Sequence, residues 1–247
     1  MPSRENLLIS AEARAERREA KRRAALRFLR QHLWSTQDIL QVVMGLNSRQ
    51  AAHKSLVVFE EAGLIRRHTL DALGGPVTLW GITPHGQACA FHLGTEAPLP
   101  AYFEPSRISE QTARHQLDLQ RLRLRAEAAG WKDWTDGNRI GDVGKEGKRP
   151  DAIVTDPLGR CTAIECERLM KTVKRYERVL AGYLRAIKAG TVARVVWVSP
   201  EPEIAARLRA IITGITAVRV GGQRVAIDPI RHHVNLYFTD YEEWPNI

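Results

Sequence analysis

The stretch that decides the fold of the second half of the chain is RPDAIVTDPLGRCTAIECERLMKTVKRYERVLAGYLR, residues 149–185. Apolar and β-branched residues predict one strand over 152–154 and a second over 160–167. The run Asp156-Pro157-Leu158-Gly159 between them has turn chemistry, so the two strands are predicted to form a hairpin. Apolar residues at helical spacing then predict an amphipathic helix over 168–189.

Three carboxylates occupy particular positions of this hairpin. Asp151 begins its first strand, and Glu165 and Glu167 follow 14 and 16 positions later on its second strand. Because strand side chains alternate, the two glutamates share one face and can lie beside Asp151. Three converging carboxylates repel one another unless a hard divalent cation neutralises them, which predicts a Mg²⁺ or Mn²⁺ site. The alternative is that all three are ion-paired to the basic helix and do no chemistry.

The elements on either side of this hairpin extend the prediction. A long helix over 108–129 and a strand over 131–135 precede a Gly-rich loop at 136–148. An apolar strand over 191–199 is suited to the interior of a sheet. Beyond it, the predicted elements are a helix at 201–212, strands at 218–220 and 234–238, and an acidic tail at 240–247 that is expected to fray. The order is helix, three strands, helix, strand.

The N-terminal third predicts a different arrangement. It contains a long Ala/Arg/Glu-rich helix at 10–33, and a second helix that Ser35 or Thr36 can cap. A third helix over 49–62 follows Ser48. Strands at 64–68 and 77–80 are predicted to pair as a hairpin, and a last helix begins at Thr83-Pro84.

This order resembles a winged helix-turn-helix domain, predicted over 10–92, with a linker at 93–107. In that fold the third helix enters the major groove of duplex DNA with its N-terminal side chains on the base edges. Here those side chains are Ser48, Arg49, Gln50, His53 and Lys54. Arg66 and Arg67 on the wing would contact phosphates. A winged helix used for protein contacts remains the alternative.

The predicted domain at 108–240 resembles the PD-(D/E)XK, restriction-endonuclease-like fold, which makes the chain α+β overall. Pro150-Asp151 stands for the PD and Glu165-Cys166-Glu167 for (D/E)XK, with Glu in place of the usual Lys. Together with HQLDLQRLRLRAEAAGW at 115–131, these runs resemble the replication-relaxation family, which includes MobC-type relaxases. The resemblance implies that Asp151, Glu165 and Glu167 bind the metal and that Lys171 contacts phosphate. His115 matches a frequent family histidine, with a catalytic or a structural role.

The resemblance implies a sequence-specific relaxase that nicks a plasmid origin by metal-dependent phosphodiester cleavage, with an accessory protein as partner. The main alternative is a non-catalytic DNA-binding accessory, replication-initiation or regulatory protein with a degenerate nuclease domain. A tyrosine nucleophile is a competing mechanism, but Tyr176 and Tyr183 fall on the apolar face of their helix. His232 and His233 are adjacent and would point oppositely on a strand, so hydrolysis is favoured.

Charge supports a polyanionic partner. The 247 residues carry a net charge of +9, and the pI is about 9.8. Residues 11–30 have a local charge of +5 and residues 168–188 one of +6, with Lys174 and Arg178 as further candidate DNA contacts. Three cysteines without a CxxC pair argue against a disulfide framework and fit the cytoplasm. Neither a membrane span nor a signal peptide is predicted, and binding at a membrane surface through 11–30 is the least favoured alternative.

Overall fold

The structure is a computed structural model that describes residues 10–72, 74–91, 101–141 and 147–247. It divides into two compact units, one up to Gln120 and one from Arg121 onward. The described residues form eight α-helices and three sheets, so the mixed α+β class is confirmed. None of the helices in these ranges is long and apolar enough to cross a membrane.

The first unit is built from helices around a small antiparallel sheet. Its elements are α1 (Ala11–His32), β1 (Trp34–Thr36), α2 (Gln37–Val43), α3 (Arg49–Glu61), β2 (Ile65–Ala72), β3 (Gly75–Ile82), α4 (Pro84–Ala90) and the first half of α5 (Glu110–Ala128). The strand order is β1-β3-β2. The predicted helices and hairpin are confirmed, whereas β1 is additional. Of the predicted linker, residues 93–100 lie outside the described residues, as does residue 92, the last of the predicted winged helix.

Side-chain caps explain where the helices of this unit begin. Ser48 Oγ accepts a hydrogen bond from Ala51 N at 3.4 Å and starts α3. Thr83 Oγ1 accepts one from Gly86 N at 3.0 Å and starts α4, with Pro84 at its first position. Leu29, Leu40 and Leu56, one from each of the first three helices, are fully buried. The apolar stripes therefore meet in one core, as their spacing predicts.

The second unit contains a mixed five-stranded sheet. After the second half of α5 come β4 (Lys132–Asp136), β5 (Ala152–Thr155), β6 (Cys161–Cys166), α6 (Val173–Lys188), β7 (Arg194–Ser199), α7 (Pro202–Thr213), β8 (Ala217–Val220), β9 (Gln223–Ala226), α8 (Pro229–His232) and β10 (Leu236–Asp240). The order β10-β7-β6-β5-β4 is antiparallel from β4 to β6 and parallel from β6 to β10. The hairpin β8–β9 forms a separate two-stranded sheet.

Aromatic side chains fill the core of the second unit between the sheet and α6. Trp197 of β7 stacks on Phe238 of β10 with ring centroids 5.1 Å apart. Tyr183 of α6 meets Trp197 edge to face at 5.7 Å. Leu180 and Val218 belong to the same buried cluster, which fixes α6 and β8 against the sheet.

The start of α6 differs from the sequence prediction. The helix begins at Val173 and not at Arg168, because Thr172 is its N-cap and its hydroxyl accepts a hydrogen bond from Arg175 N at 3.4 Å. Lys171 consequently lies before the helix, not one turn inside it. Glu167 follows the last residue of β6, but Glu167 N still donates to Val198 O at 2.9 Å and so continues the ladder toward β7.

The acidic tail was predicted to fray, and this prediction is wrong. Trp244 is buried, and its indole Nε1 donates a hydrogen bond to Leu122 O at 2.9 Å. Its ring lies 4.9 Å from that of Trp131. Burial of one large aromatic side chain outweighs the charge of its neighbours and fixes the end of the chain.

Candidate functional site

Asp151 is held at the open end of the β5–β6 hairpin. Its backbone N donates to Ile164 O at 3.0 Å, which extends the ladder by one residue beyond β5. Its carboxylate Oδ2 accepts a hydrogen bond from Cys166 N at 2.9 Å. These two bonds fix the side chain against the strand that carries Glu165.

Glu165 is a buried carboxylate with two hydrogen-bond donors. The residue is 4% exposed, and its Oε1 accepts hydrogen bonds from Lys148 Nζ and from the Tyr183 hydroxyl. Burial, and then the negative charge of Asp151, raise the pKa of Glu165 above its ordinary value. Lys148 and Tyr183 offset only part of this effect, so the neighbouring carboxylates are incompletely neutralised.

Tyr183 is a core residue with a polar function. Burial, followed by the charge of Glu165, raises its pKa well above the ordinary value. The phenol therefore stays protonated and donates to Glu165. The sequence placed Tyr183 on the apolar face of α6, which is confirmed, but gave no sign that its hydroxyl reaches a carboxylate.

Glu167 belongs to a second set of side chains. It is also 4% exposed, and its Oε2 accepts from Lys171 Nζ at 2.6 Å. The hydroxyl of Tyr176 accepts a hydrogen bond from Lys171 N at 3.0 Å. Burial raises the pKa of Tyr176 to about 12, and the charge of Glu167 acts in the same direction. The structure therefore brings Lys171 to Glu167, while Asp151 and Glu165 form the other set.

Lys148 is the functional candidate that sequence reasoning missed, because it lies at the end of a Gly-rich loop without periodicity. Two glycines let its segment approach closely. A Cβ on Gly182 would lie 2.7 Å from Lys148 Cβ, and a Cβ on Gly137 would lie 2.3 Å from Pro150 O. Gly182 interrupts α6, where it lowers helix propensity, and this was the only available signal of a close approach.

Replacing Gly182 by alanine is expected to lower the free energy of unfolding by about 1–3 kcal/mol, because the new methyl group forces the Lys148 backbone outward. The better helix propensity of alanine offsets part of this loss. Urea denaturation measures the effect. The matched control is Gly141→Ala, where a Cβ would meet nothing within 4 Å; a control that loses as much stability would contradict the crowding argument.

The described residues contain no group of three or more His, Cys, Asp or Glu side chains that could hold a metal ion. Among the predicted residues Asp151, Glu165 and Glu167, the charge of Asp151 acts on Glu165, and Glu167 is paired with Lys171. The chemistry of the pair still fits Mg²⁺ or Mn²⁺, because Mg²⁺ commonly takes one or two carboxylates and completes its shell with water and substrate phosphate oxygens. A cation would also relieve the repulsion between Asp151 and Glu165.

The candidate DNA-contacting residues of the first unit lie at the start of α3 and on β2. Those of α3 are all exposed: Ser48, Arg49, Gln50, His53 and Lys54. Gln37 braces this end of the helix, since its Nε2 donates to Arg49 O at 2.8 Å and its Oε1 lies 3.3 Å from His53 Nδ1. The helix end that was predicted to meet bases is therefore accessible and is contacted by Gln37.

The two wing arginines are partly engaged by neighbours. Arg66 donates to Phe103 O and its guanidinium lies 5.4 Å from the Phe103 ring centroid. Arg67 pairs with Glu60 at 2.9 Å and lies 5.8 Å from the Trp80 centroid. The Arg67 side chain remains 57% exposed, so a phosphate can still reach it.

The remaining candidates lie on helices. His115 is half-buried on α5 in the part that belongs to the first unit. Lys174 and Arg178 are exposed on α6. His232 ends the short helix α8 and His233 caps it, so neither lies on a strand.

Comparison with known families gives one match. The sequence profile of the replication-relaxation family matches residues 26–196, well over half of the chain. The matched range includes α3 and the segments that carry Asp151, Glu165 and Glu167. Comparisons with proteins of curated function and with solved structures gave no match.

Proposed function

The chain belongs to the replication-relaxation family, and from this premise we propose that it is a cytoplasmic relaxase that nicks plasmid DNA at an origin. Membership indicates a role in plasmid replication or mobilisation. In the proposal the first unit recognises duplex DNA and the second unit cuts one strand with a bound Mg²⁺ or Mn²⁺. An accessory protein is a further proposed partner.

The order of elements in the first unit supports the recognition step. In the proposal, helices α2 and α3 form a helix-turn-helix and the antiparallel hairpin β2–β3 that follows them forms its wing. Arg49 and Lys54 are exposed near the start of α3, where the fold presents side chains to base edges. In the proposal, the exposed Arg67 on β2 contacts a phosphate and so fixes the register on the duplex.

The order of elements in the second unit supports the cleavage step. The order of an α-helix, three antiparallel strands, a helix and a parallel strand supports the proposed PD-(D/E)XK assignment. The observation that carries the proposal is Asp151 beside the buried Glu165 at the end of one hairpin, with Lys148 on Glu165. A buried carboxylate beside a second, half-buried carboxylate is costly to the fold and is typical of a functional site.

The reaction would be hydrolysis of a phosphodiester. A water oxygen bonds to phosphorus, one bridging P–O bond breaks, and the leaving oxygen takes up a proton. Asp151 and Glu165 would hold the cation, which would supply Lewis-acid polarisation of the phosphate and activation of the attacking water. Tyr183 fixes the orientation of Glu165, and the Lys148 ammonium offsets negative charge on the reacting phosphate.

The tyrosines support hydrolysis over covalent attachment of DNA. Tyr183 is buried and donates to Glu165, and the pKa of Tyr176 is raised to about 12. A tyrosine needs its phenolate to attack phosphorus, and these surroundings disfavour that form. The two residues act in the proposal as structural hydrogen-bond partners.

A second candidate function is that of a DNA-binding accessory or initiation protein without nuclease activity. The observation that favours it is the pairing of both glutamates with lysine, Glu165 with Lys148 and Glu167 with Lys171. An ammonium group on each glutamate offsets its charge without any metal.

A plasmid-nicking assay separates the two functions. Purified full-length protein is incubated with a supercoiled plasmid that carries the cognate origin, with Mg²⁺, Mn²⁺ or a chelator. We expect open circles only with a divalent cation, and none from a plasmid without the origin. A plasmid that stays closed in both metals, although the protein binds the origin, would overturn the nickase and support the accessory function.

A further inference from the structure

A second feature of the second unit is a cleft of about 320 Å³ beside α6. Its walls come from three places: Gly147 with Lys148, the face of α6 that carries Arg178 and Arg185, and the β8–β9 hairpin with Arg219. Positions 178, 181 and 185 share one helix face, and the small Ala181 leaves room between the two arginines.

The charge of the cleft has one sign. Lys148, Arg178, Arg185 and Arg219 all line it, and none of its described lining residues is acidic. The Lys148 ammonium is also paired with Glu165. The positive potential of this concave surface therefore comes mainly from its three guanidinium groups, which attract an anion with several charges. Guanidinium groups in particular match the geometry of phosphate oxygens.

The β8–β9 hairpin provides an independent indication of an anionic ligand. Arg219 lies directly opposite Arg224 in the antiparallel register, and both side chains are exposed. Like charges at directly opposed positions destabilise a strand pair. Burial of Val218 in the core anchors the hairpin despite this repulsion, and an anion between the arginines would relieve it.

The tip of the same hairpin allows a ligand to approach closely. Gly221 and Gly222 both have positive φ, 56° and 83°, as a tight two-residue turn requires. A Cβ at either position would meet nothing within 4 Å. The rim of the cleft therefore presents bare backbone on its open side, next to the cationic walls.

We infer that this cleft binds successive phosphates of a DNA strand and guides that strand to the carboxylate pair. The second part of this inference, that the DNA strand is guided to the carboxylate pair, rests on the proposed function. Lys148 connects the cleft to the carboxylate pair, because it lines the cleft and its Nζ donates a hydrogen bond to Glu165. A phosphate at the Lys148 end of the cleft lies next to the site where cutting is proposed.

The test measures binding of a fluorescent oligothymidylate to the full-length protein by anisotropy, with chelator present so that no cleavage occurs. Salt is varied between about 50 and 200 mM, where counterion release determines the slope. The variant is Arg178→Ala/Arg219→Ala. The matched control, Arg207→Ala/Arg231→Ala, removes two exposed arginines of the same unit that do not line the cleft.

We expect the cleft variant to bind about tenfold more weakly at low salt. Its slope of log affinity against log salt should be smaller by about 1.4, or about 0.7 for each lost phosphate contact on a single strand. The control should leave both quantities near the wild-type values. An unchanged slope in the cleft variant, or an equal change in the control, would overturn the inference.

A third variant, Arg49→Ala/Lys54→Ala, separates the cleft from the first unit. It should weaken binding to duplex origin DNA and leave the oligothymidylate slope unchanged; the reverse result would locate strand binding in the first unit and overturn the inference. Binding is measured without cleavage, so a protein that never nicks can still show cleft-dependent binding. If the wild-type protein nicks the plasmid but the cleft variant binds the oligothymidylate normally, the proposed function is supported and the proposal that the cleft binds DNA is overturned.

Discussion

Replacing Asp156 by alanine is expected to lower the free energy of unfolding of the second unit by about 3–5 kcal/mol. Asp156 is 4% exposed and organises the turn between β5 and β6. Its Oδ1 accepts hydrogen bonds from Leu158 N at 2.9 Å and Arg160 N at 2.8 Å. Its Oδ2 binds Arg160 Nε at 2.7 Å and the terminal nitrogen of Arg194 at 2.8 Å.

The size of this loss comes from Arg194, which cannot turn to solvent. Arg194 is 4% exposed and its guanidinium lies 5.3 Å from the Trp131 ring centroid and 5.1 Å from that of Tyr237. Its Nε also donates to Thr162 Oγ1 at 3.1 Å. Without Asp156 the buried charge loses its carboxylate partner, and breaking a buried pair in this way is strongly destabilising.

Urea denaturation of the purified variants measures the effect. The matched control is Glu127→Ala, which removes a carboxylate that is 40% exposed and lies 2.7 Å from Arg123 on α5. Its expected loss is below about 1 kcal/mol. Asp156→Asn should fall between the two, because the amide oxygen keeps the turn but not the charge. Equal losses at Asp156 and Glu127 would contradict the argument from burial.

The contribution of Asp156 also depends on pH. Burial acts to raise its pKa, but hydrogen bonds from Arg160 and the charge of Arg194 together hold the pKa below its ordinary value. Because the pKa of Asp156 is lower in the folded state, its ionised carboxylate stabilises the fold at pH values above its pKa in the unfolded chain, which is about 3.9. The difference between wild type and Asp156→Ala should therefore shrink as the pH falls below about 4.

Local sequence chemistry was sufficient for much of the second unit. The turn at Asp156-Pro157-Leu158-Gly159 and the β-branched residues around it predict the hairpin, and alternation places Asp151 near Glu165. The start of α6 was harder, because the residues after Glu167 include good helix formers. Thr172 determines where the helix begins, because it is the N-cap of α6. Whether a threonine caps a helix or continues it depends on tertiary context, which the local sequence does not show.

The partners of the carboxylates could not be predicted, because they come from distant parts of the chain. Lys148 reaches Glu165 only because Gly137 and Gly182 permit close backbone approaches, and nothing local to Lys148 shows this. Tyr183 fits the helical spacing of apolar residues in α6. That spacing gives no indication that its hydroxyl donates to the Glu165 carboxylate. Trp244 was hidden in the same way by the acidic residues around it.

Replacing Glu165 by glutamine is expected to reduce plasmid nicking by about 100-fold or more while leaving the fold intact. Glutamine keeps the volume of the side chain and can still accept the hydrogen bond from Tyr183. It removes the charge that would hold the cation beside Asp151. Since burial and Asp151 raise the pKa of Glu165, the ionised form is unfavourable in the fold.

The free energy of unfolding should accordingly stay within about 0.5 kcal/mol of wild type or rise, because Lys148, whose side chain is 25% exposed, can turn to water.

Nicking and urea denaturation are measured on the same preparation. Glu167→Gln is the informative comparison: Asp151 acts on Glu165, whereas Glu167 belongs to the set of Lys171 and Tyr176, so we expect a loss of nicking below about tenfold. A Glu165→Gln protein that is both folded and fully active would remove Glu165 from the reaction, whereas equal losses at both positions would restore the three-carboxylate site. A loss of stability together with activity would show that the buried charge serves the fold, which the raised pKa argues against.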